Sequence, residues 1–287
     1  MRFGTKNNQK VCLIKKNLLA VMLLSSASIG AFAQSTPVNL KTQTGNEIGL
    51  TVSSYSYSEP SISVSMKATN LGIDYTGTYA FGNNFFVLGN ANYNNGQVNY
   101  SGTGTQSGIP QFYYDFKGVI GYDFGFDGFN LSPYVGIGYR FLSQQWGGTS
   151  TSTGALGSDR QSTYNYLPIG LIHRFAFNQK AKIETTFEYD YLLSGNQYSG
   201  LSSINGQSGY SGLPNVNNSQ TSGYGLNLTI MYKEENWGVG PYYKYWNIQD
   251  SNVVYSQFSR SGTTYIGGWQ EPANTTNEYG VKAIYRF

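Results

Sequence analysis

The sequence ends with the stretch Glu278-Tyr279-Gly280-Val281-Lys282-Ala283-Ile284-Tyr285-Arg286-Phe287. Counting back from the last residue, every second side chain is aromatic or apolar, and the side chains between them are mostly charged or small. Successive side chains of a β-strand point to opposite faces. The segment therefore predicts a strand with one face suited to lipid and one suited to a polar interior.

Nine further segments show the same alternation. With the C-terminal one, they lie near residues 46–57, 67–81, 85–95, 111–124, 130–146, 163–177, 181–193, 221–233, 237–249 and 277–287. Each is long enough to cover the roughly 9–11 residues that a tilted strand needs to cross a bilayer. Without spanning helices, only a closed sheet can satisfy its own backbone in lipid. The sequence thus predicts an all-β fold, a transmembrane antiparallel up-and-down β-barrel of ten strands. Eight strands are the alternative if two weak segments are discounted, and twelve if residues 250–276 contain a hairpin.

The connections between these segments alternate in length. Short ones at 82–84, 125–129, 178–180 and 234–236 separate long ones, rich in Ser, Thr, Gly, Asn and Gln, at 58–66, 96–110, 147–162, 194–220 and 250–276. Short periplasmic turns and long external loops are typical of outer-membrane barrels, and an even strand number places both termini in the periplasm. A soluble β-sandwich or lipocalin-like barrel is the alternative. It is disfavoured because no tight cluster of Leu and Ile marks a dry core.

This combination resembles the small outer-membrane β-barrel proteins of Gram-negative bacteria, of the opacity-protein and OmpA-barrel type within the porin-like superfamily. In that family a C-terminal aromatic strand is the recognition signal for barrel assembly. The resemblance implies that role here for Tyr279, Val281, Ala283, Tyr285 and Phe287. It also implies outer-membrane lipid and lipopolysaccharide, the barrel-assembly machinery and periplasmic chaperones as partners. The expected ten strands depart from the eight of those families, so no family function is carried over.

Residues 1–33 have the features of a cleaved secretory signal peptide. Five basic residues and no acidic ones accompany an apolar stretch over residues 18–32, and Ala31-Phe32-Ala33 provides a small-x-small cleavage site. An uncleaved inner-membrane anchor is the alternative, but the apolar run is short and interrupted by serines. We therefore expect a periplasmic segment over 34–45 and the barrel domain over 46–287, in the outer membrane.

Removal of the signal changes the charge of the chain. The full sequence has 18 basic and 15 acidic residues, but residues 34–287 have 13 and 15, a net charge of −2. This argues against a nucleic-acid partner. The only cysteine, Cys12, would also be lost, which excludes disulfides and thiolate metal sites from the mature chain.

The inward faces of the predicted strands collect most of the charges. The acidic residues are Glu47, Asp74, Asp115, Glu184, Glu188, Asp190 and Glu278, and the basic ones are Lys117, Arg140, Arg174, Lys233, Lys244, Lys282 and Arg286. Seven charges of each sign predict a nearly neutral lumen. Strand order places the acids of segment 181–193 beside Arg174, with Arg140 one strand further on, which predicts a ladder of charge-assisted hydrogen bonds. The network either plugs and braces the lumen or lines a narrow, ion-selective pore. A ten-stranded barrel is little wider than the eight strands that side chains fill, which favours the plug.

Catalytic chemistry finds little support in the sequence. His173 is the only histidine, and it falls on the lipid face near a periplasmic turn, where an interfacial role is expected. Omptin-type proteases also have ten strands, but they place His and Asp groups at the extracellular rim, and this chain has no histidine there. Glycine-rich runs lack the Lys-Ser or Lys-Thr of a phosphate loop. We therefore expect no enzyme, no catalytic residue, no cofactor and no metal site.

Aromatic residues near the strand ends predict two interfacial girdles. The external girdle would comprise Tyr55, Tyr57, Tyr93, Trp146, Tyr164, Tyr191 and Trp246, and Trp237 would belong to the periplasmic one. The external segment Tyr255–Trp269 carries a single charge, Arg260, and would either fold onto the barrel mouth or contact a host surface, a phage or another barrel. Together these features favour a structural or surface-recognition barrel with a plugged lumen and mobile loops. The alternative is a narrow porin-like channel for ions or small solutes, and an outer-membrane enzyme is less favoured than either.

Overall fold

The computed structural model describes residues 38–287, which form fifteen strands and two short 3-10 helices. The expected signal peptide and its cleavage site lie outside this part of the chain. The helices are Pro60–Ile62 and Leu201–Ile204. The strands are β1 Gly45–Glu59, β2 Val64–Ala80, β3 Phe85–Gly102, β4 Gly104–Tyr122, β5 Phe124–Gly125, β6 Phe129–Gln144, β7 Arg160–Ala176, β8 Lys182–Ser199, β9 Tyr210–Ser211, β10 Val216–Gln220, β11 Gly223–Lys233, β12 Trp237–Ile248, β13 Val254–Arg260, β14 Thr263–Trp269 and β15 Asn274–Arg286. Within residues 38–287, no helix has the length and apolar character needed to cross a membrane.

Ten of the strands close into an antiparallel barrel. Their order around the wall is β1, β2, β3, β4, β6, β7, β8, β11, β12 and β15, and β15 pairs back onto β1. Across the closure, Ile48 of β1 lies between Tyr75 of β2 and Tyr285 of β15. The predicted ten-stranded up-and-down barrel is confirmed. We call the end with the short connections and both ends of the barrel domain the turn end, and the opposite end the loop end.

The region expected as the loop 96–110 is instead a continuation of the wall. β3 and β4 pair as far as Gly102 and Gly104, with Thr103 alone between them. Gly104 has φ +85°, in the left-handed region that glycine adopts readily, and this permits the reversal. Inward-facing Val98 and Ile109 are fully buried, but the outward residues here are polar. The sequence prediction stopped at the end of the lipid-facing pattern, whereas the strands continue beyond it.

Residues 250–276 do contain a hairpin, but it is not part of the barrel wall. β13 pairs with β14 and, over two residues, with β9. These strands form a separate three-stranded sheet at the loop end. The barrel thus keeps ten strands although its longest connection holds two more. Regular strands occupy most of a segment that was expected to be a mobile loop.

The outer face carries two belts of aromatic rings with an apolar band between them. Neighbouring rings have centroids 4.7 to 6.5 Å apart. The turn-end belt comprises Tyr79, Phe81, Phe85, Tyr122, Phe124, Phe126, Phe129, Phe175, Phe177, Tyr232, Trp237, Tyr285 and Phe287. The second belt comprises Tyr93, Phe112, Tyr114, Tyr139, Phe141, Tyr189, Tyr224 and Tyr245. Two such belts flanking an apolar band are the arrangement of outer-membrane barrels.

Five of the seven residues assigned to the external girdle point the other way. Tyr93 and Tyr191 face outward, but Tyr55, Trp146, Tyr164 and Trp246 are buried in the lumen. The reason is that the face of a side chain depends on whether its position along the strand is odd or even. The distance of a residue from the strand end does not indicate this. Even-numbered residues of β1 such as Leu50 and Val52 face outward, so Tyr55 must face inward. Tyr57 is also turned away from the outer face, toward buried carboxylates.

These inward-facing aromatics fill the lumen at the loop end. We call the buried residues there the loop-end plug: Tyr55, Val64, Met66, Val98, Ile109 and Trp146 in one cluster and Tyr164, Tyr166, Leu192, Trp246 and Ile248 in another. Tyr164 and Trp246 stack with centroids 5.7 Å apart. The barrel therefore does have an apolar core, although it is built mainly from aromatic and mixed aliphatic side chains and not from Leu and Ile alone.

The apolar band supplies a first prediction. Leu50, two-thirds exposed on the outer face of β1, lies in the band. Leu50→Arg should lower the free energy of unfolding in phospholipid vesicles by about 2–4 kcal/mol, because a charge would enter hydrocarbon. Ser56→Arg, six residues along the same outer face and above the band, should cost no more than about 1 kcal/mol. Equal costs at both positions, measured by urea unfolding, would show that Leu50 does not face hydrocarbon.

Candidate functional site in the lumen

Three ion pairs lie in the turn-end half of the lumen, and two of them join strands that are not neighbours. Lys282 Nζ of β15 lies 2.5 Å from Asp74 Oδ1 of β2. Lys233 Nζ of β11 lies 2.9 Å from Glu47 Oε1 of β1 and 2.8 Å from Glu184 Oε1 of β8. All five side chains are largely buried. These contacts tie opposite parts of the wall together.

Arg174 of β7 forms the centre of a second group. Its Nε donates to Glu184 Oε2 at 2.6 Å, and one terminal nitrogen donates to Ser132 Oγ at 2.9 Å. The guanidinium also lies 3.7 Å from Asp123 Oδ1. Arg174 and Glu184 are direct cross-strand partners. This is the one rung of the expected ladder that the structure brings together.

Asp123 lies in the connection between β4 and β5, at the turn end. Burial alone would raise the pKa of its carboxyl. Hydrogen bonds from Ser132, from the amide and hydroxyl of Thr42 and from Asn130 outweigh burial and hold the pKa below its usual range. Asp123 therefore stays ionised beside Arg174.

Lys117 of β4 reaches across the lumen to Glu188 of β8. Its Nζ lies 2.6 and 2.7 Å from the two carboxylate oxygens. Tyr134 donates to the same carboxylate at 2.7 Å, and the Asn227 amide bridges Glu188 and Asp190 at 3.0 and 2.6 Å. Glu188 is thus neutralised by a lysine from a strand that is not its neighbour, and Glu184 by Arg174 and Lys233. The expectation that Arg140 would serve this row is wrong.

Arg140 instead joins a layer centred on Glu278. The Glu278 carboxylate, fully buried, accepts from the Tyr113, Tyr242 and Ser53 hydroxyls at 2.7 to 3.0 Å. The Arg140 guanidinium lies over the Tyr113 ring at 4.0 Å, a cation–π contact. It is 3.9 Å from Asp115, which accepts from Tyr166 at 2.5 Å. Glu278 is therefore held by three hydroxyl groups. The pattern of charges along the sequence does not predict these partners, because the donors are uncharged.

The segment formed by residues 38–44 crosses the turn-end mouth of the lumen. Thr42 bonds to Asp123 and accepts from Arg174 at 3.1 Å, and Lys41 donates to Asn84 at 2.8 Å. Arg286 donates to the Gln43 side chain at 3.0 Å. We call these residues the N-terminal strap. The expected periplasmic segment is therefore packed against the barrel over the part that the structure describes.

A polar cluster at the loop end was missed by the sequence analysis. The guanidinium of Arg160 at the start of β7 pairs with Glu271, which lies between β14 and β15. The Tyr57 hydroxyl is shared between Glu59 at 2.6 Å and Glu271 at 3.2 Å. Burial raises the pKa of Glu271, although Arg160 opposes part of that effect. The cluster fastens the longest loop to the wall, and Glu271 lies outside any alternating segment, so no sequence pattern indicated it.

The arrangement offers little to an enzymatic reaction. His173 lies between the rings of Phe129 and Phe175, at 5.9 and 5.7 Å, in the turn-end belt. The described residues contain no group of three or more His, Cys, Asp or Glu side chains suited to hold a metal ion. What the lumen residues can do is brace the wall, bind ions, or both.

Arg174 provides the second prediction. Arg174→Ala should lower the free energy of unfolding by about 3–5 kcal/mol, because it leaves Glu184 and Asp123 buried without their guanidinium. Arg260→Ala is the matched control, since Arg260 is exposed at the loop end with its guanidinium over the Tyr210 ring and forms no ion pair within residues 38–287. The control should cost under about 1 kcal/mol. Losses of similar size in the two variants, measured by urea unfolding in vesicles, would contradict a bracing role.

Comparison with known proteins places this architecture. No protein with curated annotation matches the sequence. The outer membrane protease OmpT from Escherichia coli has 10% identity, with 88% of this chain and 100% of that chain covered and a TM-score of 0.54. OprG from Pseudomonas aeruginosa has 13% identity, covers 87% and 99% and has a TM-score of 0.35. The attachment invasion locus protein Ail of Yersinia pestis has 10% identity, covers 86% and 100% and has a TM-score of 0.32.

At such identities the likeness to OmpT is one of fold alone, and the other two scores carry no argument. The family model gives the stronger finding. It is described as the outer membrane protein beta-barrel domain and matches residues 18–210, well over half of the sequence. The chain belongs to this family of outer-membrane β-barrel proteins.

Proposed function

We propose that the protein is a non-conducting, non-enzymatic barrel of the bacterial outer membrane that presents its loop end for surface recognition. The observation that carries the proposal is the loop-end plug. Tyr55, Trp246 and Trp146 are only 1%, 4% and 7% exposed, and they occupy the space that a pore would need. Close-packed side chains of this kind leave no continuous path for hydrated ions.

The extended wall at the loop end supports a recognition role. β3 and β4 have 18 and 19 residues, about twice the 9–11 needed to cross the bilayer. Their outward residues beyond the second aromatic belt are polar. This part of the wall thus extends beyond the lipid at the loop end, where another surface can approach the barrel.

The sheet itself offers apolar contact area. Tyr255 is 73% exposed and Ile266 is 79% exposed, and they lie on the hairpin formed by β13 and β14. Exposed large apolar side chains on a polar background favour interaction with another surface. A host surface or a phage is the partner class that we propose.

The absence of an enzymatic role is part of the proposal. The only histidine of the sequence lies in the turn-end belt, at the opposite end of the barrel from the loop-end sheet. Ser-His or Asp-His chemistry at the loop end would need a histidine there.

The proposal also includes how the protein is exported and how the barrel is oriented in the outer membrane. Residues 1–33 act as a signal peptide cleaved after Ala33, and the aromatic face ending at Phe287 serves the assembly machinery, with periplasmic chaperones as transient partners. Both termini and the N-terminal strap then lie on the periplasmic side. The apolar band contacts lipid, and lipopolysaccharide contacts the second aromatic belt. No nucleic acid is involved.

Planar-bilayer recordings test the closed lumen. The refolded protein should give no steady openings, with heat-modifiable gel mobility as the check that the barrel is folded. Reproducible openings whose ion selectivity changes in Arg140→Ala would establish the alternative, a narrow channel for ions or small solutes. Arg140→Ala would then leave the unfolding midpoint nearly unchanged, whereas the closed barrel predicts a lower midpoint.

Cell adhesion tests the recognition role. Bacteria displaying Tyr255→Ser with Ile266→Ser should adhere to cultured epithelial cells several-fold less than those with the unaltered protein, because the exposed apolar area is removed. Ser101→Ala with Thr103→Ala, at the exposed tip of the β3–β4 hairpin, is the control and should adhere normally. Equal adhesion of all three, at equal surface amounts, would show that the hairpin is not the recognition element.

A further inference from the structure

The turn-end half of the lumen encloses a cavity of about 200 Å³ below the loop-end plug. Its lining includes eight lysine or arginine side chains and five aspartate or glutamate side chains, an excess of three positive charges. Residues 41–43 of the N-terminal strap border it at the mouth. The volume holds several water molecules, or a small anion with part of its hydration shell.

The remaining buried carboxylates of the lumen lie away from the cavity surface. Asp123, Asp190 and Glu278 are buried, but none of them lines the cavity. Each accepts hydrogen bonds from groups of the wall: Asp123 from Ser132 and Glu278 from Tyr113, for example. Their charges lower the positive potential of the cavity, but the groups in direct contact with a ligand there would be mainly ammonium and guanidinium groups.

Lys244 of β12 is the distinctive member of the lining. It lies directly opposite Glu278 in the pairing of β12 with β15, which would normally give a cross-strand ion pair. Glu278 is instead held by three hydroxyls, so it is not available to Lys244. Over residues 38–287, Lys244 has no carboxylate within 4.0 Å and no side-chain hydrogen bond.

The Lys244 ammonium lies near two aromatic rings. Its Nζ lies 5.7 Å from the centroid of the Tyr113 ring and 5.8 Å from that of Tyr242. These contacts position the ammonium without using its three N–H donors. The other lysines of the lining have polar partners: Lys117, Lys233 and Lys282 each pair with a carboxylate, and Lys41 and Lys182 donate to Asn84 and to the Asn39 carbonyl. A half-buried ammonium with unused donors in a net positive cavity favours an anion as its partner.

We propose that this cavity is a binding site for a small oxyanion of the phosphate class, with Lys244 as its anchor. A compact ammonium is a suitable point charge for such an anion. Lys282 contributes further donors, because its ammonium has three N–H groups and gives one to Asp74. The site lies at the turn end, so the ligand reaches it past residues 41–43 and not through the loop-end plug. It is independent of surface recognition at the loop end.

Calorimetric titration with inorganic phosphate tests the site. The protein, folded in detergent micelles, is titrated at constant ionic strength with chloride as the background anion. We expect saturable binding to one site. Lys244→Gln keeps the length and polarity of the side chain but removes its charge, and it should weaken phosphate binding at least tenfold. Lys67→Gln makes the same change of net charge on the outer face of β2, where the side chain is exposed, and should bind like the unaltered protein.

Two results would overturn the proposal. One is a titration of the unaltered protein that cannot be distinguished from dilution, which would leave Lys244 solvated by water alone. The other is equal phosphate affinity in Lys244→Gln and Lys67→Gln. If Lys244→Gln does not fold, the unaltered protein still decides: its unfolding midpoint must rise with phosphate and saturate at fixed ionic strength. A midpoint that does not respond would also reject the site.

Discussion

The pairing of β1 with β15 is the constraint on which the rest of the structure depends. In hydrocarbon an unpaired backbone N–H or C=O costs several kcal/mol, so a sheet that spans the membrane must have no free edge. Twelve register pairs, from Glu47 with Arg286 to Ser58 with Thr275, remove that edge. The closure also fixes strand parity around the ring. Each strand must present its apolar set to lipid, and the opposite set, with almost all of the charges, is forced into the lumen.

The forced burial of charge explains the cross-lumen contacts. Charges confined to a narrow interior must be paired or hydrogen-bonded, because an isolated one is expensive. Neighbouring strands supply some of the partners, such as Glu184 for Arg174. Others come from further around the wall, since Lys117 reaches from β4 to β8 and Lys282 from β15 to β2. Glu278 is satisfied by hydroxyls from three different strands. The result is a lumen braced across its diameter at the turn end and filled by aromatic packing at the loop end.

Much of this was accessible from the sequence, because alternation with a period of two is a local property. The ten strands, the lipid-facing residues and the inward position of residues such as Asp74 and Arg174 all follow from it. The pairing inside the lumen does not. The two residues of the Tyr113–Glu278 contact are 165 positions apart, and only the curvature of the closed sheet brings them together. Tyr55 and Trp246 were placed in a girdle by their nearness to strand ends, although counting parity along each strand would have placed them inside. The predicted β3 and β4 were too short, because their outward residues are polar where the wall extends beyond the lipid.

The N-terminal strap has a consequence for how the barrel is completed. Its contacts, Asp123 after β4, Arg174 of β7 and Arg286 at the end of β15, come from three distant parts of the chain. The complete set of contacts forms only when the last strand has joined the first, because Arg286 is then beside the start of β1. Docking of residues 38–44 therefore contributes its full free energy only to the closed ring. The strap therefore stabilises the closed ten-stranded barrel relative to arrangements in which the last strand has not paired with the first.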